Sequence, residues 1–186
     1  MLKLANITTV YRSRLVAESF AKWLNPQAKV LDVGCGTGVV AHELQKALNI
    51  KVTGCDIDKY LIVDIPFKKM ESFDKLPNFG KKKFDACMFN DMLHHTDYQN
   101  QVKLLRQAIN ISKICLLFEL KPTVAGRIAD LVINKIHNPQ MNIPYTYRTP
   151  KEWKTLFQKM GLKYEVMKVK KPFLYPFSHI AFRVTT

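Results

Sequence analysis

Two sets of residues in this chain are placed to do chemistry: a run of spaced glycines, and polar side chains that close short apolar stretches. The glycines come first. In Val30-Leu31-Asp32-Val33-Gly34-Cys35-Gly36-Thr37-Gly38 an apolar run breaks into a G-x-G-x-G turn, and Val40, Leu44, Ala47 and Leu48 then recur at helical spacing. Glycine permits a tight turn and close approach of backbone to a ligand, and the free N–H groups of a new helix favour an anionic group. Position 39, where a dinucleotide fingerprint would place its third glycine, is valine, which argues against NAD or FAD. Further along, Asp56-Ile57-Asp58, Glu71-Ser72 and Asn90 each close or follow an apolar run, and His94-His95 come just after Asn90. A histidine pair could act as general base toward an acceptor that must lose a proton, or could hydrogen-bond at the start of a helix. Asp91, Tyr145 and Tyr147 are further candidates of the same kind.

These groups need elements to bring them together. Lys29 to Val33 reads as a buried parallel strand, Lys51 to Ile57 as the second, Ile65 to Met70 as the third, Phe84 to Asn90 as the fourth and Ile114 to Leu120 as the fifth. Pro66 suits only a strand start or an edge. Leu162 to Val169 and His179 to Val184 form a closing pair. Between them run helices. Tyr11 to Leu24 stops at Asn25-Pro26, and a helix from about Asp97 turns Val102, Leu105, Ala108 and Ile109 inward. Val124, Ile128, Leu131, Val132 and Ile136 mark another helix, which Asn138-Pro139 ends. Thr149-Pro150-Lys151-Glu152 is a capping box with proline at the first helical position, and Gly161 ends that helix. The alternation predicts an α/β fold: a seven-stranded, mostly parallel sheet with helices on both faces and a C-terminal antiparallel hairpin. In such a sheet the ligand lies beyond the carboxyl ends of the strands, where every polar candidate falls.

A chain of 186 residues is expected to form one domain, residues 1–186, with a substantial core. It has no run of eighteen apolar residues and no signal-peptide pattern, so a cytoplasmic location is expected. The four cysteines, at 35, 55, 87 and 115, lie in or just beyond successive strands and form no CxxC pair. They read as small buried hydrophobes, and no metal site is expected of them. The net charge of +14 is uneven: residues 1–24 carry +3, residues 25–100 are neutral and residues 101–186 carry +11. Basic flanks around a neutral ligand-binding half suit an acidic substrate or an anionic surface, or serve solubility alone.

Leu31 to Gly38 resembles motif I of the class I S-adenosylmethionine (SAM)-dependent methyltransferases, and Phe84 to Thr96 resembles the FD…LHH pattern of small type 11 methyltransferase domains. The resemblance implies a Rossmann-like fold, SAM as cofactor and a methyl-transfer reaction. It also implies roles: the turn with Asp32, Gly34, Cys35, Gly36 and Gly38 would meet the methionine and ribose portions, Asp56 with Ile57 the ribose hydroxyls, Glu71 and Ser72 the adenine amino group, and Asn90 the neighbourhood of the sulfonium. Only Asp58 to Asp64 separates the second strand from Ile65, so the family's crossover helix is cut to about one turn.

For the acceptor the sequence offers less. The fourth strand ends in neither N-P-P-Y nor a Pro-Cys pair, which disfavours methylation of a nucleic-acid base. The 137–149 loop, with Met141, Ile143, Tyr145 and Tyr147, and the turn Phe173 to Phe177 supply an aromatic and apolar lining suited to a small-molecule or lipid-like acceptor. Lys168, Lys170 and Lys171 beside that turn suit peripheral contact with an anionic membrane. An RNA-directed methyltransferase, drawing on the basic second half, and a SAM-binding protein without turnover are the alternatives.

Overall fold

The computed structural model describes residues 2–137, 143–170 and 175–186, with side chains from residue 11 onward and without that of residue 137. Strands β1 (Lys29–Val33), β2 (Lys51–Asp56), β3 (Phe67–Lys69), β4 (Phe84–Asn90), β5 (Ser112–Leu120), β6 (Lys163–Lys168) and β7 (His179–Thr185) form one sheet in the order β3-β2-β1-β4-β5-β7-β6. The pairs from β3 to β5 are parallel, and β7 runs antiparallel to both β5 and β6. The order reverses between β1 and β4. Apolar residues on alternate sides of the central strands make two cores. On one face α1 (Leu2–Phe20) and α2 (Val39–Leu48) bring Leu15, Val16, Phe20, Val40 and Leu44 against Val30, Val52 and Phe118. On the other, α3 (Tyr98–Ile111) and α5 (Pro150–Lys159) bring Leu104, Leu105, Trp153 and Phe157 against Leu31, Cys87 and Phe182.

Several boundaries differ from the sequence reading. α1 ends at Phe20, its last turn unwinding before Asn25-Pro26, while its start reaches back to Leu2. The buried stripe of α3 is Gln101, Leu104, Leu105, Ala108 and Ile111, a small rotation that leaves Val102 and Ile109 half-buried. β3 is only three residues long because Pro66 cannot donate to the ladder; its carbonyl still accepts from Gly54 N at 2.8 Å. The connection from Ile57 to Pro66 holds no helical turn at all. The capping box of α5 forms as read, with Thr149 and Glu152 exchanging hydrogen bonds, and Gly161 beyond it takes φ +70°. All four cysteines are free and buried.

In α4 (Val124–His137) the aliphatic stripe faces outward. Val124 is 77% exposed, Ile128 58%, Val132 49% and Ile136 64%. Gly126 is buried, and Ala129, Asp130 and Asn134 are half-buried on the inner side. No helix among the described residues is long and apolar enough to cross a membrane.

Candidate active site

At the carboxyl end of β1 the chain turns on Gly34, Gly36 and Gly38, with φ of +70°, +52° and +77°. Such angles exclude most side chains. Gly34 N and Cys35 N donate to Cys55 O, tying the turn to β2. At the end of β2 the Asp56 carboxylate accepts from Gly36 N at 2.9 Å and from Ile57 N at 2.7 Å. A side chain on Gly36 would meet nothing within 4 Å, so the turn faces open space there.

Asp32 and Asn90 meet at the reversal point. Asn90 Nδ2 donates to Asp32 Oδ1 at 3.0 Å, both residues are buried, and Asn90 Oδ1 has no hydrogen-bond partner. Burial raises the Asp32 carboxyl to about 7 although the Asn90 hydrogen bond works against it. Burial also raises Asp56, again partly offset by the two backbone N–H groups. Met70 N donates to Asp56 O at 2.8 Å, so Glu71 follows directly beside Asp56 in the sheet. Its side chain points elsewhere. Glu71 is exposed and paired with Lys75, while Ser72 donates to Asp74, so both are engaged within their own turn.

Beyond Asn90 the chain bends through Asp91, at φ +51°, into a short 3₁₀ turn, Leu93–His95. Glu119 on β5 holds that turn from behind: one oxygen accepts from Met92 N and Leu93 N, and the other pairs with His94 Nδ1 at 3.0 Å. His94 Nε2 stands 3.3 Å from Asp130 Oδ2 on α4, outside hydrogen-bond geometry. Burial alone would lower the His94 value, but Asp130 and Glu119 together raise it to about 10. The half-buried His95 is lowered to about 3 by desolvation and by the charge on His94, and is neutral near pH 7. Tyr147 stacks on His94 at 4.9 Å and donates to Asp130 at 2.6 Å. Thr146 N donates to His94 O, and Gln101 bonds both Leu93 O and Thr146 O, which straps the 143–149 segment over the turn.

A second cluster, of three charged or titratable groups, lies next to it. Asp91 Oδ2 meets Arg12 of α1 at 3.2 Å and His179 of β7 at 3.0 Å. Burial raises the Asp91 carboxyl, yet His179 and Arg12 outweigh it and hold it well below the usual range.

The structure therefore brings together the glycine turn, Asp32, Asp56, Ile57, Asn90, His94 and His95, and leaves the Glu71 and Ser72 side chains turned away. Sequence reasoning missed Glu119, Asp130, Arg12 and His179. Glu119 carried a signal: a lone acid in the apolar strand Ile114–Leu120 must be paired if buried. Met141, Phe173 and Leu174 of the expected acceptor lining, and Lys171 beside it, lie outside the described residues. A surface hollow lined by Trp23, Pro26, Asp85 and Arg183 opens at the amino ends of β4 and β5, the opposite end of the sheet from these groups.

The glycine turn, the carboxylate at the end of β2 and the polar group at the reversal point gather at one end of the sheet, and a methyltransferase-domain profile matches residues 7–165. The chain belongs to the methyltransferase-domain family. Solved structures share the methyltransferase's fold. A cyclopropane-fatty-acyl-phospholipid synthase-like protein from Lactobacillus casei is similar at a TM-score of 0.72 and 13% identity, over 96% of this chain and 90% of that one. A SAM-dependent methyltransferase from Archaeoglobus fulgidus gives 0.65 and 17%, over 94% of each chain. The plantazolicin methyltransferase BpumL, solved with a triazolic desmethylPZN analogue and SAH, gives 0.65 and 16%, over 94% and 85%. No curated protein sequence matches the chain significantly. Two of these neighbours are described as SAM-dependent or were solved with SAH, and the likeness to them is one of fold.

Proposed function

We propose that this methyltransferase binds SAM across the carboxyl ends of β1, β2 and β4 and transfers its methyl group to a small-molecule or lipid-like acceptor seated beyond Asn90, beside the His94-His95 turn and α4. The residues present fit the cofactor. Gly36 faces open space where a ligand can lie against backbone, and Asp56 sits at hydrogen-bond distance from that turn, suited to a pair of ribose hydroxyls. The buried, unpartnered Asn90 Oδ1 beside Asp32 is an acceptor that a cationic ligand would satisfy. Glu71 and Ser72 would need to turn inward to reach an adenine.

SAM supplies an activated methyl group, so the protein's task is alignment and exclusion of water. The observation that carries the acceptor reading is the inner face of α4, which packs against the turn that follows Asn90, with Asp130 3.3 Å from His94 and Asn134 3.5 Å from His95. A helix packed over the groups that follow Asn90 suits a small molecule better than an open nucleic-acid track. The outward aliphatic face of the same helix, with Asp130 turned inward, favours a lipid-like acceptor met at an anionic membrane. Incubation of the protein with labelled SAM and separate lipid, metabolite and RNA extracts tests this reading. Label is expected in the lipid or metabolite fraction. Label in structured RNA, with binding steeply dependent on salt, supports the RNA-directed alternative and makes the basic second half its track. Tight SAM binding with no labelled product supports a protein without turnover.

A further inference from the structure

We propose that His94, His95 and Asp130 form a divalent-cation site at the mouth of the acceptor space, held from behind by Glu119 and Tyr147. One ligand atom from each of the three lies within 4.8 Å of the others. His94 Nε2 is buried and makes no hydrogen bond, while Nδ1 is taken up by Glu119. Once its Nε2 proton is displaced, the ring has the arrangement of a metal-binding imidazole, in which a carboxylate behind the ring fixes its orientation and the far nitrogen takes the ion. Nε2 and Asp130 Oδ2 are 3.3 Å apart, about the separation of two donors on one ion with bonds of about 2.1 Å. Asp130 is steadied in the same way by the Tyr147 hydroxyl. Two imidazoles and one carboxylate suit manganese, iron or zinc rather than calcium.

The site deepens the proposed reaction and rests on it. Three protein ligands would leave coordination positions open, where an acceptor hydroxyl could bind and become more acidic. That hydroxyl gives its proton to water, and its oxygen then bonds to the methyl carbon as the carbon–sulfur bond breaks, its electron pair staying on sulfur. The ion would also clamp α4 to the 3₁₀ turn, since His94 and His95 belong to one and Asp130 to the other.

The test is direct titration of the chelator-treated protein with Mn(II) and Zn(II) by calorimetry, with SAM titrated separately. One ion per chain is expected, with affinity unchanged in Glu43→Gln and lost in His95→Ala and Asp130→Asn. Glu119→Gln is expected to weaken it about 10- to 100-fold. Pulsed EPR of bound Mn(II) on the wild-type protein is expected to show imidazole nitrogen coupling, a readout that survives a variant that misfolds. Absence of bound ion, binding that His95→Ala and Asp130→Asn leave intact, or Mn(II) without nitrogen coupling overturns the site. Failure with SAM still bound condemns the metal alone; loss of SAM binding in the wild type condemns the proposed reaction as well.

Discussion

Gly36 carries the sharpest residue-scale expectation. At φ +52° and facing open space, it can accept a side chain sterically only by pointing it where a ligand would lie. Gly36→Val is therefore expected to abolish SAM binding by calorimetry, with a stability loss of about 1–2 kcal/mol from the left-handed backbone. Asp56→Ala is expected to weaken SAM by about 2 kcal/mol, the scale of charge-assisted hydrogen bonds; an analogue lacking both ribose hydroxyls should bind wild type and variant alike. Asp32 gives a pH signature. Its folded value, about 7, lies above the ordinary carboxylate value, so its contribution to stability is full below about pH 4 and is lost as pH rises through about 7. Thermal unfolding without ligand should show Asp32→Asn gaining on wild type across that window, by roughly 4 kcal/mol at most. The glycine turn and the carboxylates were legible because their chemistry is local. The Glu119–His94–Asp130 arrangement was not, since its members lie on three separate elements and only packing decides that they meet.

Among the elements, β4 and the α5 capping box were readable to the residue, because a buried strand and a cap each leave a signature within a few positions. Thr149→Ala should cost about 1 kcal/mol of stability in denaturant unfolding. α4 was readable as a helix and unreadable in orientation. Its aliphatic spacing specifies a stripe, and a stripe does not say whether core or something outside the chain receives it. The helix is inverted: Asp130 and Asn134 serve the interior while Ile128, Val132 and Ile136 face out. Replacing Ile128 and Ile136 with serine should leave stability within about 0.5 kcal/mol, as surface changes do. The same variant should lose sedimentation with anionic vesicles if this face rests on lipid.

Across the whole molecule, the topology followed from the order of strands and helices, while the length of each connection did not. Cys55, Cys87 and Cys115 sit in one of the two cores and Cys35 in the glycine turn, and burial raises all four thiols. Thiol titration should find few reactive groups before denaturation and all four after it. The stretch between β2 and β3 holds a different kind of consequence. Lacking any helix, it lays Leu61, Val63 and Ile65 onto Gly38, where even a Cβ would come within 2.8 Å of the first two, and donates from Ile62 N to Thr37 O at 3.1 Å. The cover on the glycine turn is thus a short flap held by aliphatic contacts, one backbone hydrogen bond and the exposed Lys69–Asp58 ion pair at 2.6 Å. Such a flap opens by itself, at far less cost than separating a packed helix from a sheet. Spent cofactor would then have a short residence time, and stopped-flow displacement of SAH should be fast compared with turnover. In that case donor exchange would not set the pace of this enzyme, and the slow step would lie on the acceptor side, under α4.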